Sequence, residues 1–190
     1  DMAPKKKTKT KSQNSNKKTT GKVLFIITGS IAAKKALNSV YSLRKKGYDV
    51  TTIITKGGEE FITSRAAREI TGNKVYKEMF SSCGADEMDH INLSRNNDVI
   101  IVVPATANFI AKMSAGIADD LASTVCLASD KPILVVPAMN VRMWEHQATQ
   151  RNIRHLEDDG VKIIGPVEGN LACGEEGYGR MIEAKILKMQ

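Results

Sequence analysis

A chain of 190 residues with 42% hydrophobic content can bury one substantial core and is too short for two ordinary domains. Its formal charge of +7 sits in the first 22 residues, where eight lysines face the single acid Asp1, and the other 20 basic and 20 acidic residues cancel. The folded part is therefore neutral, which excludes a binding surface built on net charge, and no run reaches the roughly 20 apolar residues of a membrane span.

Residues 1–20 contain almost nothing apolar and cannot offset the entropy of ordering, so a disordered basic tail is expected there. No aromatic or arginine is interleaved among its lysines to read bases, and no nucleic-acid partner is expected. The tail also lacks the apolar stretch of a secretory signal. Cys83, Cys126 and Cys173 are odd in number and far apart, without a CxxC pair or a histidine at ligand spacing. Neither a disulfide framework nor a metal site is suggested, and a soluble protein of a reducing, cytoplasmic compartment fits.

From residue 21 onward the pattern is that of one folded unit, 21–190. Val23 to Ile27 (VLFII), Val99 to Val103 (VIIVV) and Ile133 to Val136 (ILVV) are continuously apolar, as strands covered on both faces are. Asp49 to Thr55 and Val161 to Ile164 are more polar candidates for positions nearer an edge. Helical periodicity runs over Ile31 to Lys46, Ser64 to Ile70, roughly Asn108 to Ala128, and Met143 to Leu156. Strand and helix alternate through short Gly- or Pro-containing turns. The prediction is a three-layer, doubly wound α/β sandwich around a parallel sheet, Rossmann-like or flavodoxin-like, with ligands at the carboxyl ends of its strands.

Candidate chemistry gathers at those ends. Thr28-Gly29-Ser30 closes the first strand and Ile31-Ala32-Ala33 opens a helix, a glycine turn able to cradle a phosphate. The G-x-G-x-x-G of dinucleotide folds is missing, which favours a mononucleotide. Two later strands run into Pro104-Ala105-Thr106-Ala107-Asn108 and Pro137-Ala138-Met139-Asn140, which place two amides at the rim. Alternatively, proline ends each strand while Thr106 and Asn108 cap the next helix. His90, in Asp89-His90-Ile91-Asn92-Leu93, can be a surface residue or a base. His146 and His155 lie on a polar helix and read as solvated. The stretch at about 165–181 is rich in glycine, suiting a frayed end or a mobile flap, and carries one thiol at Cys173.

Taken together these motifs resemble the homo-oligomeric flavin-containing cysteine decarboxylase family. They are Thr28 to Ala33, His90 to Leu93, Pro104 to Asn108, Pro137 to Asn140 with Met143-Trp144, and Ala172-Cys173-Gly174 with Gly177, Gly179, Arg180 and Met181. They span about residues 21–182. Peptidyl-cysteine decarboxylases of this family share the histidine and the Pro-x-Met-Asn motif but lack the flap cysteine. Holding both Asn140 and Cys173, the sequence resembles the branch that acts on 4'-phosphopantothenoylcysteine. Lys34 stands where the family often has Tyr, and Phe109 where it usually has Thr.

The resemblance implies an FMN-dependent carboxy-lyase with a small-molecule substrate, assembled as a homotrimer or a multiple of trimers. It implies Gly29, Ser30, Ile31, Thr55, Thr106, Ala107, Asn108, Phe109 and Ala138 near FMN, and Asn140, Met143 and Ala172 at the substrate. His90 would assist deprotonation of the substrate thiol as FMN accepts a hydride from the neighbouring carbon. The resulting thioaldehyde makes loss of CO₂ feasible. Cys173 would return a proton as the reduced flavin returns the hydride, giving 4'-phosphopantetheine. The alternatives are a peptidyl-cysteine decarboxylase and a non-catalytic, phosphatase-regulating relative.

Overall fold

The computed structural model describes residues 19–77, 86–170 and 176–182. Strand β1 (Lys22–Ile27) leads into helix α1 (Ala33–Lys45), β2 (Asp49–Ile54), α2 (Lys56–Glu59), α3 (Ser64–Thr71) and β3 (Val75–Tyr76). Helix α4 (Asp86–Arg95), β4 (Val99–Ala105), α5 (Ala107–Ala115), α6 (Leu121–Ala128) and β5 (Ile133–Pro137) follow. The chain closes with α7 (Val141–Glu145), α8 (Gln147–Asp158), β6 (Lys162–Ile163) and the pair β7 (Val167–Asn170) and β8 (Glu176–Arg180).

Six parallel strands form one sheet in the order β3-β2-β1-β4-β5-β6. The apolar run of β1 explains why both faces are covered. Leu24 and Ile26 belong to a core with Ile110, Val125, Ile153 and Leu156 of α5, α6 and α8. Val23 and Phe25 point the other way, to Val40 and Leu43 of α1. Each such aliphatic or aromatic side chain, fully buried, contributes about 1.5–3 kcal/mol. Chain order runs outward from β1 to β3, then crosses back to β4, so strand order reverses between β1 and β4. That is where an open α/β sheet leaves a crevice for ligands.

The structure refines the expected elements in several places. The helix expected over 108–128 is two, because Gly116 takes a left-handed φ of 68° at the end of α5 and Asp120 opens α6 with a capping box to Ser123. The helix expected over 143–156 is likewise divided, with Asn140 capping α7 and His146 capping α8. Thus His146 serves the backbone, its Nδ1 accepting from the Ala148 N–H at 3.1 Å. Helices α2 and α4 and strand β3 carry no clear periodicity and were not foreseen. Strand β6 lies at an edge as expected, whereas β2 is covered by β3.

The described part of the glycine-rich end is not part of the main sheet. Strands β7 and β8 pair antiparallel as a separate ribbon. Ala172 and Cys173, in the segment that joins them, lie outside the described residues, as does most of the basic tail. The described residues begin inside the span expected for the tail, where Thr20 donates its N–H to Gly47 O at 3.1 Å and its hydroxyl to Lys46 O at 3.1 Å.

Candidate active site

Thr28 ends β1 and is buried. Its hydroxyl donates to Pro104 O and accepts from the Thr106 N–H at 3.1 Å, and its own N–H also reaches Pro104 O. One side chain thereby ties together the two turns that flank the reversal of strand order. Sequence reasoning placed Thr28 in the motif without giving it this role, because the partner strand is 76 residues away.

Beside Thr28, two turns meet backbone to backbone. A Cβ on Gly29 would lie 2.8 Å from the Gly57 carbonyl carbon, and one on Gly58 would lie 2.5 Å from Ile27 O. Only glycine permits that approach. Thr55 fixes the second turn, its hydroxyl accepting from the Gly58 N–H at 3.1 Å and donating to Ile27 O at 3.3 Å. Ser30 fixes the first, its Oγ accepting from the Ala32 N–H at 3.2 Å. The result is a cradle of Gly29, Ser30, Thr55, Gly57 and Gly58 at the carboxyl ends of β1 and β2. Gly57 and Gly58 were missed. The signal was a Gly-Gly pair directly after a strand.

At the adjacent turn, Thr106 caps α5 by accepting from the Phe109 N–H at 3.2 Å. Ala107 and Asn108 are on the open side, and Asn108 is exposed. The Phe109 side chain turns away from the rim: it is 3% exposed and packs in the core with Ile110 and Leu121. The expected cofactor contact at this position therefore reduces to backbone. Ile31 is the opposite case, a large apolar side chain left 61% exposed at the mouth of the first turn.

The next turn is held residue by residue. The Ala138 N–H donates to Ala105 O at 3.1 Å, and the Met139 N–H donates to Gly179 O at 3.0 Å. Asn140 accepts from the Met143 N–H at 2.8 Å through its Oδ1. The cap and the expected amide role hold together, because capping commits the carbonyl oxygen and turns the amide nitrogen away from α7. Met143, one turn on, is 45% exposed.

His90 stands on α4. Its Nδ1 is shielded from solvent and has no hydrogen-bond partner among the described residues. Its neighbour Asp89 pairs with Lys74 at 3.5 Å, and Lys74 lies 4.5 Å from the centre of the Tyr76 ring. The structure thus brings Gly29, Ser30, Thr55, Thr106, Ala107, Asn108, Ala138 and Asn140 to one rim, and leaves His90 without a bond to any of them among the described residues. A concavity of about 540 Å³ lies elsewhere, lined by Met113, Ile117, Cys126, Leu127, Lys131 and Leu156 near the start of β5. It faces the amino-terminal edge of the sheet, where no strand end or helix start aims polar groups at a ligand, so the crevice at the strand reversal is the better site. Among the described residues no cluster of acids, histidines and cysteines could hold a metal, and no helix is long and apolar enough to cross a membrane.

A parallel doubly wound sheet with a glycine-lined cradle beside its reversal point is an architecture that nucleotide-binding α/β proteins use. Within that class, the chain belongs to the Flavoprotein family, whose match covers residues 10–188. It is 41% identical over 167 residues to the coenzyme A biosynthesis bifunctional protein CoaBC of Haemophilus influenzae, covering 87% of this chain and 42% of that protein. The chain thus spans about two fifths of the length of the curated relatives it matches. Among solved structures it resembles a cysteine-to-serine mutant of PPC decarboxylase complexed with pantothenoylaminoethenethiol. The TM-score is 0.76 at 30% identity, over 88% of this chain and 93% of that one. It also resembles the FMN-dependent cysteine decarboxylase SpaF, with TM-score 0.73 at 30% identity, over 84% of this chain and 90% of that one.

Proposed function

We propose that the chain binds FMN and decarboxylates 4'-phosphopantothenoylcysteine to 4'-phosphopantetheine, a step of coenzyme A synthesis. The observation that carries the reading is the backbone contact of Gly29 with Gly57, flanked by the Ser30 and Thr55 hydroxyls, at the carboxyl ends of β1 and β2 beside the point where strand order reverses. A phosphate with a slender chain behind it fits such a cradle, and the Thr106 and Ala138 turns continue the rim along which a ribityl and a ring would lie. The similarity to an FMN-dependent cysteine decarboxylase and to a PPC decarboxylase supports FMN and the reaction.

FMN, when bound, supplies the reversible hydride acceptor that a simple amino-acid carboxylate lacks. The remaining roles fall to the chain. His90, with a ring nitrogen bonded to no described residue, takes the substrate thiol proton. Asn140, its oxygen pinned to Met143, donates its amide N–H to the substrate carboxylate and releases CO₂ more readily than a fixed cation would. Met143 and Ala172 line the substrate, and Cys173 returns a proton to it. Residues 165–181 form the flap over the bound substrate, and residues 1–20 take no part. The same proposal includes a cytoplasmic enzyme of three chains or a multiple of three.

The test is the purified protein reconstituted with FMN and given 4'-phosphopantothenoylcysteine. Flavin bands in the near-ultraviolet and blue, CO₂ release and a saturated thiol product are expected, with light scattering near three chains or a multiple. Absence of flavin uptake removes the reading. An enethiol as the final product points instead to a peptidyl-cysteine decarboxylase, the activity named for one solved relative, EpiD, at 30% identity.

A further inference from the structure

We infer that Gly179 is a positioning residue for Asn140, so that the β7–β8 ribbon sets substrate affinity from outside the sheet; this rests on the assignment of Asn140 to the substrate. Asn140 sits on the loop between β5 and α7, and three successive residues of that loop have separate anchors. Ala138 is bonded to the sheet through Ala105 and Asn140 to the helix through Met143. Met139, between them, is bonded to Gly179 O of β8.

Gly179 can accept that bond only because it has no side chain. Its φ of 144° is one that L-residues rarely adopt, and an added Cβ would collide with Met139 O and stand 3.3 Å from the Asn140 carbonyl carbon. The segment after it cannot retreat to make room. Met181 is 3% exposed, in a core with Ala138, Val136 and Ile164. Ile182 presses on Gly165, where a Cβ would lie 3.0 Å from Cγ2 of Ile182. The rail is fixed, so strain introduced at residue 179 passes to the loop that carries Asn140.

The test is a double-mutant cycle in the FMN-loaded protein. Gly179→Ala should lower kcat/KM by about tenfold or more, chiefly through KM, and in an Asn140→Ala background the same change should cost less than about twofold. FMN affinity, read by quenching of flavin fluorescence, should fall by a smaller factor than KM rises, because the phosphate cradle lies on other turns and Ala138 alone of the proposed FMN contacts shares the strained loop. Gly160→Ala is the control for strain alone, since Gly160 also has a positive φ of 88° but nothing within 4 Å of an added Cβ. It should leave KM unchanged. Equal losses in both backgrounds, or an unchanged KM in Gly179→Ala, would overturn the inference. A parent protein without flavin-dependent CO₂ release would instead sink the proposed function.

Should Gly179→Ala fail to fold, hydrogen exchange on the parent decides. The Met139 amide should open together with the β7–β8 amides; protection that follows the β5 core and ignores the ribbon would overturn the inference.

Discussion

At the scale of single residues, His90 is one of three described side chains, with Thr52 and Ser64, that hold a buried polar atom without a partner, and it alone of the three can act as a base near neutral pH. A buried ring nitrogen without a partner carries an energetic cost unless a ligand or another chain completes it. The His90→Asn variant should keep its FMN, leave the flavin oxidised when substrate is added, and lower CO₂ release by at least about 100-fold. Stopped-flow absorbance in the blue band with trapped CO₂ checks both halves. Cys126 is a different kind of buried group. Burial, with a smaller push from the charge of Asp120, raises its thiol to about 12. The neutral thiol is the form that folding favours. Its contribution is therefore complete below the unfolded value near 9.0 and is lost as pH climbs from there to about 12. Urea midpoints should fall over that window in the parent and fall less in Cys126→Ala. A disulfide reagent at pH 8, with adducts located by mass spectrometry, should label Cys126 only after unfolding.

At the scale of elements, helix starts carry more of the design than helix faces do. Asp120 accepts the Ser123 N–H at 2.7 Å while Ser123 Oγ accepts the Asp120 N–H at 3.2 Å, and this box lets α6 begin five residues after the left-handed Gly116. Asp120→Ala should cost about 1 kcal/mol of stability, measured as a lower melting temperature without a change in secondary structure content. The same caps explain what could be read from sequence. The three buried strands were legible because VLFII, VIIVV and ILVV permit little else, and Thr106 was legible as a cap because a threonine after a proline-ended strand is a local signal, whereas Asn108, expected to cap as well, lies inside α5 and the capping by Asn140 was not foreseen. Helix α4 was not. Its buried face includes Ser94, bonded to Ile91 O, and is followed by a buried Asn97 bonded to Leu93 O, while Met88 stays exposed, so no apolar stripe marks it. The Gly29–Gly57 and Gly179–Met139 contacts were also beyond reach. Each glycine is visible in the sequence, but what it must approach depends on which strands become neighbours, and that is decided by the whole sheet.

At the scale of the molecule, the lysine-rich start and the folded body are separable on charge and composition, and Thr20 is bonded to the body through its backbone N–H. Removing residues 1–18 should therefore leave FMN binding and turnover within about twofold of the parent, checked by fluorescence titration and steady-state kinetics. The two ends of the sheet bear on a different matter. Strands β3 and β6 are two residues long, and each leaves almost no free run of backbone donors and acceptors at its outer side. An added strand needs such a run to begin a ladder, so neither margin can seed growth of one copy onto the next. Among the described residues, lasting contacts between copies are thereby directed away from the margins of the main sheet and toward its helices, its loops and the β7–β8 ribbon, surfaces on which residues can be chosen one by one to set how many copies meet.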